Sequence, residues 1–492
     1  MVPFGRHLAS LADAQPDRPA VTDDDRTISR AGLARESTAL AHHLADLGVG
    51  AGDFVTVALP NGIPFVRALV ACWKLGAIPQ PVSSRLPAPE LAAIVELAGP
   101  TALIGVDATL VDPAVIGDRP VVAAGWSPDS IDLTARQPLT DAVSPSWKAP
   151  TSGGSTGRPK LIVHGERGEL DPDADPILLI RRDGCLVMPG PLYHNGPLAW
   201  TCLTLLAGGH VVVLGRFDPE ATLDAIEQHR ADMVYLVPTM MRRIWRLGSE
   251  RLASWDLSSL RVVWHLAEPC PDWLKEAWIE WLGPKRIWEL YAGTENQAST
   301  VIRGDQWLEH RGSVGRVSVG EIAIFDDAGA PLGPGAVGEV YLRRGAPGTT
   351  AAPTYRYVGA DTDRIAGGWE SLGDLGWMDA DGYLYLADRK TDMILSGGAN
   401  IYPAEIEAAL DSHPAVHSSA VIGLPDEDRT NVVHAIVQAD PDEVTVAELL
   451  AFLADRLVRY KIPRSIEFTD EALRDDAGKV RRSRLRSERV VT

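Results

Sequence analysis

At 492 residues the chain is too long for one ordinary hydrophobic core, and 45% hydrophobic with 23% charged residues marks a folded protein of two or more domains, not a disordered one. A net charge of −19 argues against non-specific binding of nucleic acid or anionic membrane across the surface, while leaving room for a local anion site. Cys72, Cys185, Cys202 and Cys270 are widely spaced and form no Cys-x-x-Cys pair, which excludes a zinc-site or disulfide-scaffold pattern and suits a reducing compartment.

Met1 to His7 carry no signal-peptide apolar core, and no apolar run is long enough to span a membrane, so a cytoplasmic protein is expected. Leu33, Leu40, Leu44 and Leu47 fall at helical spacing and predict a helix over 30–47, ended by Gly48 and Gly50. His42 and His43 on it are expected to be solvated or capping groups. Phe54 to Leu59 then reads as a strand, Phe65 to Leu75 as a helix and Gly76 to Val82 as a second strand.

The next segment, Ser152-Gly-Gly-Ser-Thr-Gly-Arg-Pro-Lys160, is the most informative of the chain. Gly153, Gly154 and Gly157 let backbone N–H groups approach an anion closely, Ser152, Ser155 and Thr156 add hydroxyl donors, and Lys160 adds a positive charge. Such a loop suits a polyphosphate. It is not the common Gly-x-x-x-x-Gly-Lys-Ser/Thr nucleotide loop, because Lys160 is followed by Leu161. On composition alone a flexible surface linker remains the alternative.

Short β-branched runs follow at Val211 to Leu214 and Met233 to Val237, separated by a helical stretch from Pro219 to His229. That alternation favours an α/β fold of mostly parallel sheets covered by helices. A strand over Arg286 to Leu290 leads into Tyr291-Ala-Gly-Thr-Glu295, at a strand C-terminal end where ligands gather. There Glu295 is a candidate Mg²⁺ ligand, Thr294 a phosphate donor and Tyr291 a flat face for a base; a plain turn is the alternative. From Ser313 the pattern changes to short strands such as Glu321 to Phe325 and Glu339 to Leu342, which predicts a small antiparallel unit. Gly333-Pro-Gly-Ala-Val-Gly338 matches the dinucleotide fingerprint only formally, since it precedes a strand and opens no helix. Asp374 in Ser371-Leu-Gly-Asp-Leu-Gly can accept from both hydroxyls of a ribose, or simply form a turn. The basic run Lys479 to Arg489 reads as a solvated terminal helix.

The order and spacing of these clusters resemble the adenylate-forming superfamily of acyl-CoA synthetases, peptide-synthetase adenylation domains and firefly-type luciferases. The resemblance takes in Leu59-Pro-Asn-Gly, Pro191-Leu-Tyr-His-Asn-Gly, Ser396-Gly-Gly-Ala-Asn-Ile-Tyr-Pro-Ala-Glu-Ile-Glu407, Tyr460-Lys-Ile-Pro463 and Gly478-Lys479. It implies a large N-terminal α/β domain, residues 1–388, ending in a distorted β-barrel, and a small mobile α+β lid, residues 389–492. The implied reaction joins a carboxylate to the α-phosphate of ATP, releases pyrophosphate, and then passes the acyl group to coenzyme A with loss of AMP.

Carried over residue by residue, the resemblance assigns the β- and γ-phosphates to Ser152–Lys160, Mg²⁺ to Glu295, the phosphate region to Thr294 and adenine to Tyr291. Ala267, Glu268 and Pro269 would edge the adenine, and Asp374 with Arg389 would hold the ribose. Lys479 would bridge carboxylate and α-phosphate, a role suited to a compact charge on a long arm. Thr391 stands at the hinge position, where aspartate or lysine is usual, and Gly397 and Gly398 would face the pantetheine channel after rotation. The approach to Lys479 carries Asp475 and Asp476, which are expected to face water. His194 matches an aromatic gate. Asn195 stands where amino-acid-activating relatives place an aspartate, and an amide cannot neutralise a buried ammonium, so amino acids are disfavoured. Gly196, Ala292 and Gly293 leave space and Trp200 supplies apolar wall, which together with the loop variant resembles synthetases for bulky polycyclic or terpenoid acids. Two other readings stay open: loading of a carrier-protein phosphopantetheine, and a non-catalytic relative that binds nucleotide. A homodimer is compatible with the chain and not fixed by it.

Overall fold

The computed structural model describes residues 1–492 except 108, 110–112, 154–158, 346–352, 363, 397–398, 427–429, 476–477 and 491–492. Its centre is a parallel ladder with the spatial order Pro19–Thr22, His210–Val213, Cys185–Met188, Met233–Leu236, Val262–His265 and Ile287–Ala292. Met233–Leu236 and Val262–His265 are buried along their whole length. Both faces of these strands are covered, since successive residues point to opposite sides and all are buried, which is why the runs read as continuous apolar stretches without alternation. The strands Ser299–Arg303, Ser313–Val319, Tyr383–Arg389, Trp369–Met378, Gly338–Arg343 and Glu321–Phe325 then continue the ladder antiparallel. The antiparallel strands predicted after Ser313 are thus hydrogen-bonded directly onto the central sheet.

A second parallel sheet runs Ile78–Pro81, Phe54–Val57, Ala102–Ile104 and Val121–Val122. The helix Ile63–Lys74 is buried from Ile63 to Trp73 except at Pro64. Its side chains belong to the same apolar cluster as the strands Val55 and Val57 of one sheet and Val187 and Val211 of the other. The helix predicted over 30–47 spans Arg30–Asp46; Ser29 caps it by accepting from the Gly32 N–H at 3.2 Å, and Gly48 turns away at φ +93°. His42 corrects the expectation: it is buried, and burial holds its imidazole below the usual range. His43 stacks on Trp126 at 5.4 Å. The four cysteines are free, and burial pushes the thiols of Cys72, Cys185 and Cys202 up to about 12.

Downstream of Arg389 a separate apolar cluster gathers Ile394, Ile401, Ile406, Leu410, Val421, Val433, Leu449 and Leu453. The strand pair Ile394–Ser396 and Ala399–Ile401, the helices Pro403–Asp411 and Val446–Ala454 and the strands Ser418–Asp426 and Thr430–Gln438 supply these side chains, and Ser465–Phe468 completes the sheet. Thr445 and Glu448 close the start of the second helix as a reciprocal capping box. The terminal basic run does form a helix, Arg482–Ser487, but it is not merely solvated. Arg482 donates to Asp392 at 2.9 Å and to both Glu407 oxygens at 2.8 Å, and Arg489 pairs with Glu467 at 2.7 Å. Acids far upstream in sequence neutralise the run and fasten the chain end to this unit.

Among the described residues no helix is long and apolar enough to cross a membrane.

Candidate active site

Ser152 and Gly153 sit on the short strand Thr151–Gly153, paired with Lys160 and Pro159 of the returning strand Pro159–His164. Gly154, Ser155, Thr156 and Gly157 lie outside the described residues. On the next strand, Tyr355–Val358, Tyr357 donates its hydroxyl to Glu295 Oε1 at 2.6 Å. Lys160 Nζ lies 3.8 Å over the Tyr357 ring and 3.9 Å from Glu295 Oε1. Burial pushes the Lys160 ammonium down and the Glu295 carboxylate opposes it. Tyr357 was not legible as a site residue, since nothing in the sequence around it marks a motif.

The strand before the second motif runs to Ala292, two residues beyond the predicted end, because Ser299–Arg303 folds back on it and pairs Tyr291 with Thr300 and Ala292 with Ser299. Gly293 then passes close to Leu372, whose Cδ1 would lie 2.5 Å from an added Cβ. Asn296 closes the turn in the left-handed region at φ +56°. Tyr291 donates to Asp374 Oδ2 at 2.6 Å, and Asp374 Oδ1 faces Arg389 Nε at 3.4 Å across directly paired strand positions. Burial raises the Asp374 carboxyl, with Arg389 acting against it, while burial and Asp374 together hold the Tyr291 phenol well above its usual range. Thr294 is half-buried beside them.

Ala267 is held in the left-handed region at φ +76°, an uncommon conformation for a residue with a Cβ, in the loop that carries Glu268 and Pro269. Glu268 accepts from the Thr239 N–H at 2.6 Å and the Thr239 hydroxyl at 3.0 Å. The third partner comes from the C-terminal unit: Arg474 Nη1 is 3.5 Å from Glu268 Oε2 and donates to Gly478 O at 3.1 Å. Asp475 does not simply face water as expected; it accepts from the Lys479 N–H at 2.9 Å and so shapes the turn that presents Lys479. Asp476 lies outside the described residues. Lys479 touches the solvent of the cleft, yet the surrounding protein and then Arg389 push its ammonium down, with Asp475 and Glu295 opposing.

His194 precedes the helix Asn195–Leu206. Burial and then the Lys479 charge hold its imidazole down to about 4, so the ring is neutral at pH 7, and its Nε2 has no partner among the described residues. Gly196 is fixed by crowding: a Cβ there would overlap the Tyr235 hydroxyl. Gly196→Ala is expected to cost about 1–3 kcal/mol by overpacking, read as a lowered thermal unfolding midpoint. Trp200 meets Tyr235 and Trp264 edge-on at 5.2 Å and 5.8 Å. Lys148, absent from the sequence reading, donates to Asn195 Oδ1. The hint was a charge inside the otherwise apolar approach Trp147-Lys-Ala-Pro150.

Lys148, Lys160, His194, Asn195, Gly196, Trp200, Glu268, Tyr291, Thr294, Glu295, Tyr357, Asp374, Arg389 and Lys479 all border one cleft between the N-terminal sheets and the C-terminal unit. Thr391 borders it as well, on an exposed turn just after Arg389. Gly397 and Gly398 lie outside the described residues.

Comparison with known proteins settles the family, since the AMP-binding enzyme family matches residues 8–352. The chain belongs to the AMP-binding enzymes. The AMP-binding enzyme C-terminal domain matches residues 405–479. The chain is 33% identical to a feruloyl-CoA synthase of an Amycolatopsis species and 31% identical to an indoleacetate–CoA ligase of Aromatoleum aromaticum, over 96% of each chain in both cases. The o-succinylbenzoate CoA synthetase of Bacillus subtilis, in complex with its acyl-adenylate intermediate, superposes with a TM-score of 0.80 at 26% identity, over 98% of both chains. The adenylate-forming assignment and the α/β fold with a smaller C-terminal domain therefore hold. This AMP-binding enzyme is an AMP-forming acyl-CoA synthetase, working with ATP, Mg²⁺ and coenzyme A.

Proposed function

We propose that the cleft activates a bulky, ring-bearing carboxylic acid as its adenylate and then transfers the acyl group to coenzyme A. The observation that carries this reading is convergence: Lys479 from the C-terminal unit borders the same cleft as His194 and Glu295 of the N-terminal sheets and as Arg389, which ends the strand Tyr383–Arg389 where the two units join. The first step gathers a carboxylate, a triphosphate and a crowded phosphoryl transition state, so positive charge must stand where negative charge develops. Lys479 would serve the carboxylate and α-phosphate, Lys160 and the hairpin Ser152–Gly157 the outer phosphates, and Asp374 and Arg389 the ribose. Tyr291 would stack on adenine, with Ala267, Glu268 and Pro269 along its edge and Thr294 toward the phosphates.

Glu295 fits Mg²⁺ on this structure: it is a buried hard-oxygen carboxylate whose Oε1 takes Tyr357, while Oε2 has no hydrogen-bond partner among the described residues. A bound Mg²⁺ would neutralise phosphate charge. Residues 1–388 would form the adenylating core and residues 389–492 a lid turning about Thr391, with Gly397 and Gly398 lining the pantetheine path after rotation.

Trp200, Tyr235, Trp264 and Met240 give the acyl side of the cleft an aromatic, apolar wall, which supports a ring-bearing acid. An α-amino acid is disfavoured further by Lys148, whose ammonium already occupies Asn195 Oδ1 and would repel a second cation. A carrier-protein acceptor is the second reading, favoured by 31% identity to a fatty acid–acyl-carrier-protein ligase of Streptomyces coeruleorubidus. A cytoplasmic setting suits coenzyme A chemistry.

Pyrophosphate release across a diverse carboxylic-acid library, followed by mass spectrometry of the product formed with coenzyme A or a carrier protein, tests the proposal. A ring-bearing acid giving a coenzyme A thioester is expected; preferential turnover of acetate or an α-amino acid would refute the substrate class. Within the same assay, Asp374→Ala is expected to raise KM for ATP by about tenfold or more, since hydrogen bonds to a charged group contribute about 1.5–3 kcal/mol.

A further inference from the structure

Lys148 is 4% exposed and borders the cleft, in the extended approach to the strand Thr151–Gly153. An ammonium has three N–H donors. Here one goes to Asn195 Oδ1, and the group also lies 4.3 Å from the centre of the Trp147 ring. No carboxylate among the described residues stands within ion-pairing distance; the acid that acts on it electrostatically, Glu166, is largely exposed. Burying a lysine without an anion is costly. Burial pushes its ammonium down to about 8, which still leaves the charge in place at neutral pH.

A second buried donor borders the same space. Trp200 is 3% exposed, and its indole Nε1 meets no acceptor among the described residues. Both groups are set by one helix, Asn195–Leu206. Asn195 at its start and Cys202, two turns on, face Lys148, while Gly196 and Trp200 face Tyr235. His194, immediately before this helix, and Lys479 border the same cleft as Lys148 and Trp200. Its wall there offers N–H donors in apolar surroundings.

We infer that Lys148 reads a second polar group on the substrate: the enzyme prefers acids whose acyl part carries an oxygen acceptor, whether carboxylate, phenol or ketone, over hydrocarbon acids of the same size. This rests on the adenylating function proposed above and narrows its substrate class. A site built to satisfy a substrate oxygen rejects the analogue lacking it, because its own buried donor is then left unmet.

The test is kcat/KM for pyrophosphate release with matched acids: cinnamate against 4-hydroxycinnamate, 4-phenylbutyrate against 4-oxo-4-phenylbutyrate, and hexanoate against adipate. The wild-type enzyme is expected to favour the oxygen-bearing member of at least one pair by about tenfold or more. In Lys148→Met that ratio falls to near one. Equal rates within every wild-type pair overturn the inference, and this arm decides alone if the variant fails to fold. An equal loss on both members in Lys148→Met, or a change confined to KM for coenzyme A, also overturns it. Turnover without preference removes only the Lys148 assignment, whereas no pyrophosphate release with any acid removes the adenylating function as well.

Discussion

Lys479→Ala is expected to lower acid-dependent ATP–pyrophosphate exchange by about a hundred- to a thousandfold while ATP still binds. The size follows from losing one preorganised positive charge at the transition state, about 3–4 kcal/mol in comparable sites. The structure explains why no neighbour replaces it. Arg389 faces Asp374 at 3.4 Å, and Lys160 lies over Tyr357 beside Glu295, so both of these cations are held at their own stations. Lys479→Arg is expected to rescue little, because a planar fork does not reproduce a compact charge on a flexible stem. Near-normal exchange in Lys479→Ala, with unchanged KM for ATP, would refute the role.

Arg242→Met should produce the next largest effect, through the lid. Arg242 on the helix Pro238–Trp245 pairs with Asp411 at the end of the helix Pro403–Asp411 at 2.8 Å, with both side chains buried. Asp411 also accepts from Ser419 at 2.7 Å, and burial raises its carboxyl against the pull of Arg242. Removing one partner of a buried pair leaves the other charge uncompensated, at a cost of about 3–5 kcal/mol. Because the pair joins the two units, that cost falls on the docked arrangement and not on either apolar core. Pyrophosphate exchange is expected to fall at least about tenfold, each 1.36 kcal/mol of barrier being one factor of ten. Faster proteolysis near Thr391 should accompany it. Unchanged exchange and proteolysis would show that the contact does not hold the lid.

How far the sequence foretold this arrangement depends on the range of each interaction. Local periodicity located the helix from Arg30 and the strands at Phe54, Ile78, Met233 and Glu321 to within about two residues, because those elements carry their apolar pattern in themselves. Of the contiguous motifs, Lys160, Tyr193–Gly196, Tyr291–Glu295, Asp374 and Gly478–Lys479 border one cleft, whereas Leu59–Gly62 and Tyr460–Pro463 do not. What escaped were pairings between distant positions without a motif: Tyr357 with Glu295, Lys148 with Asn195, Arg242 with Asp411. The charge run near the end looked solvated for the same reason, since its partners Asp392 and Glu407 lie 90 and 75 residues upstream of Arg482. His42 misled in the opposite sense: a polar residue on a helix reads as exposed, but this helix packs closely on the helix Ile63–Lys74 and buries much of its surface.

The central claim is that the hairpin at Ser152–Lys160 and the lid lysine close on one nucleotide. A crystal structure with a non-hydrolysable ATP analogue tests it most directly. The ribose hydroxyls are expected on Asp374, the adenine against Tyr291, the α-phosphate beside Lys479 and the outer phosphates at the hairpin, whereas a nucleotide bound elsewhere with this cleft empty would contradict the account.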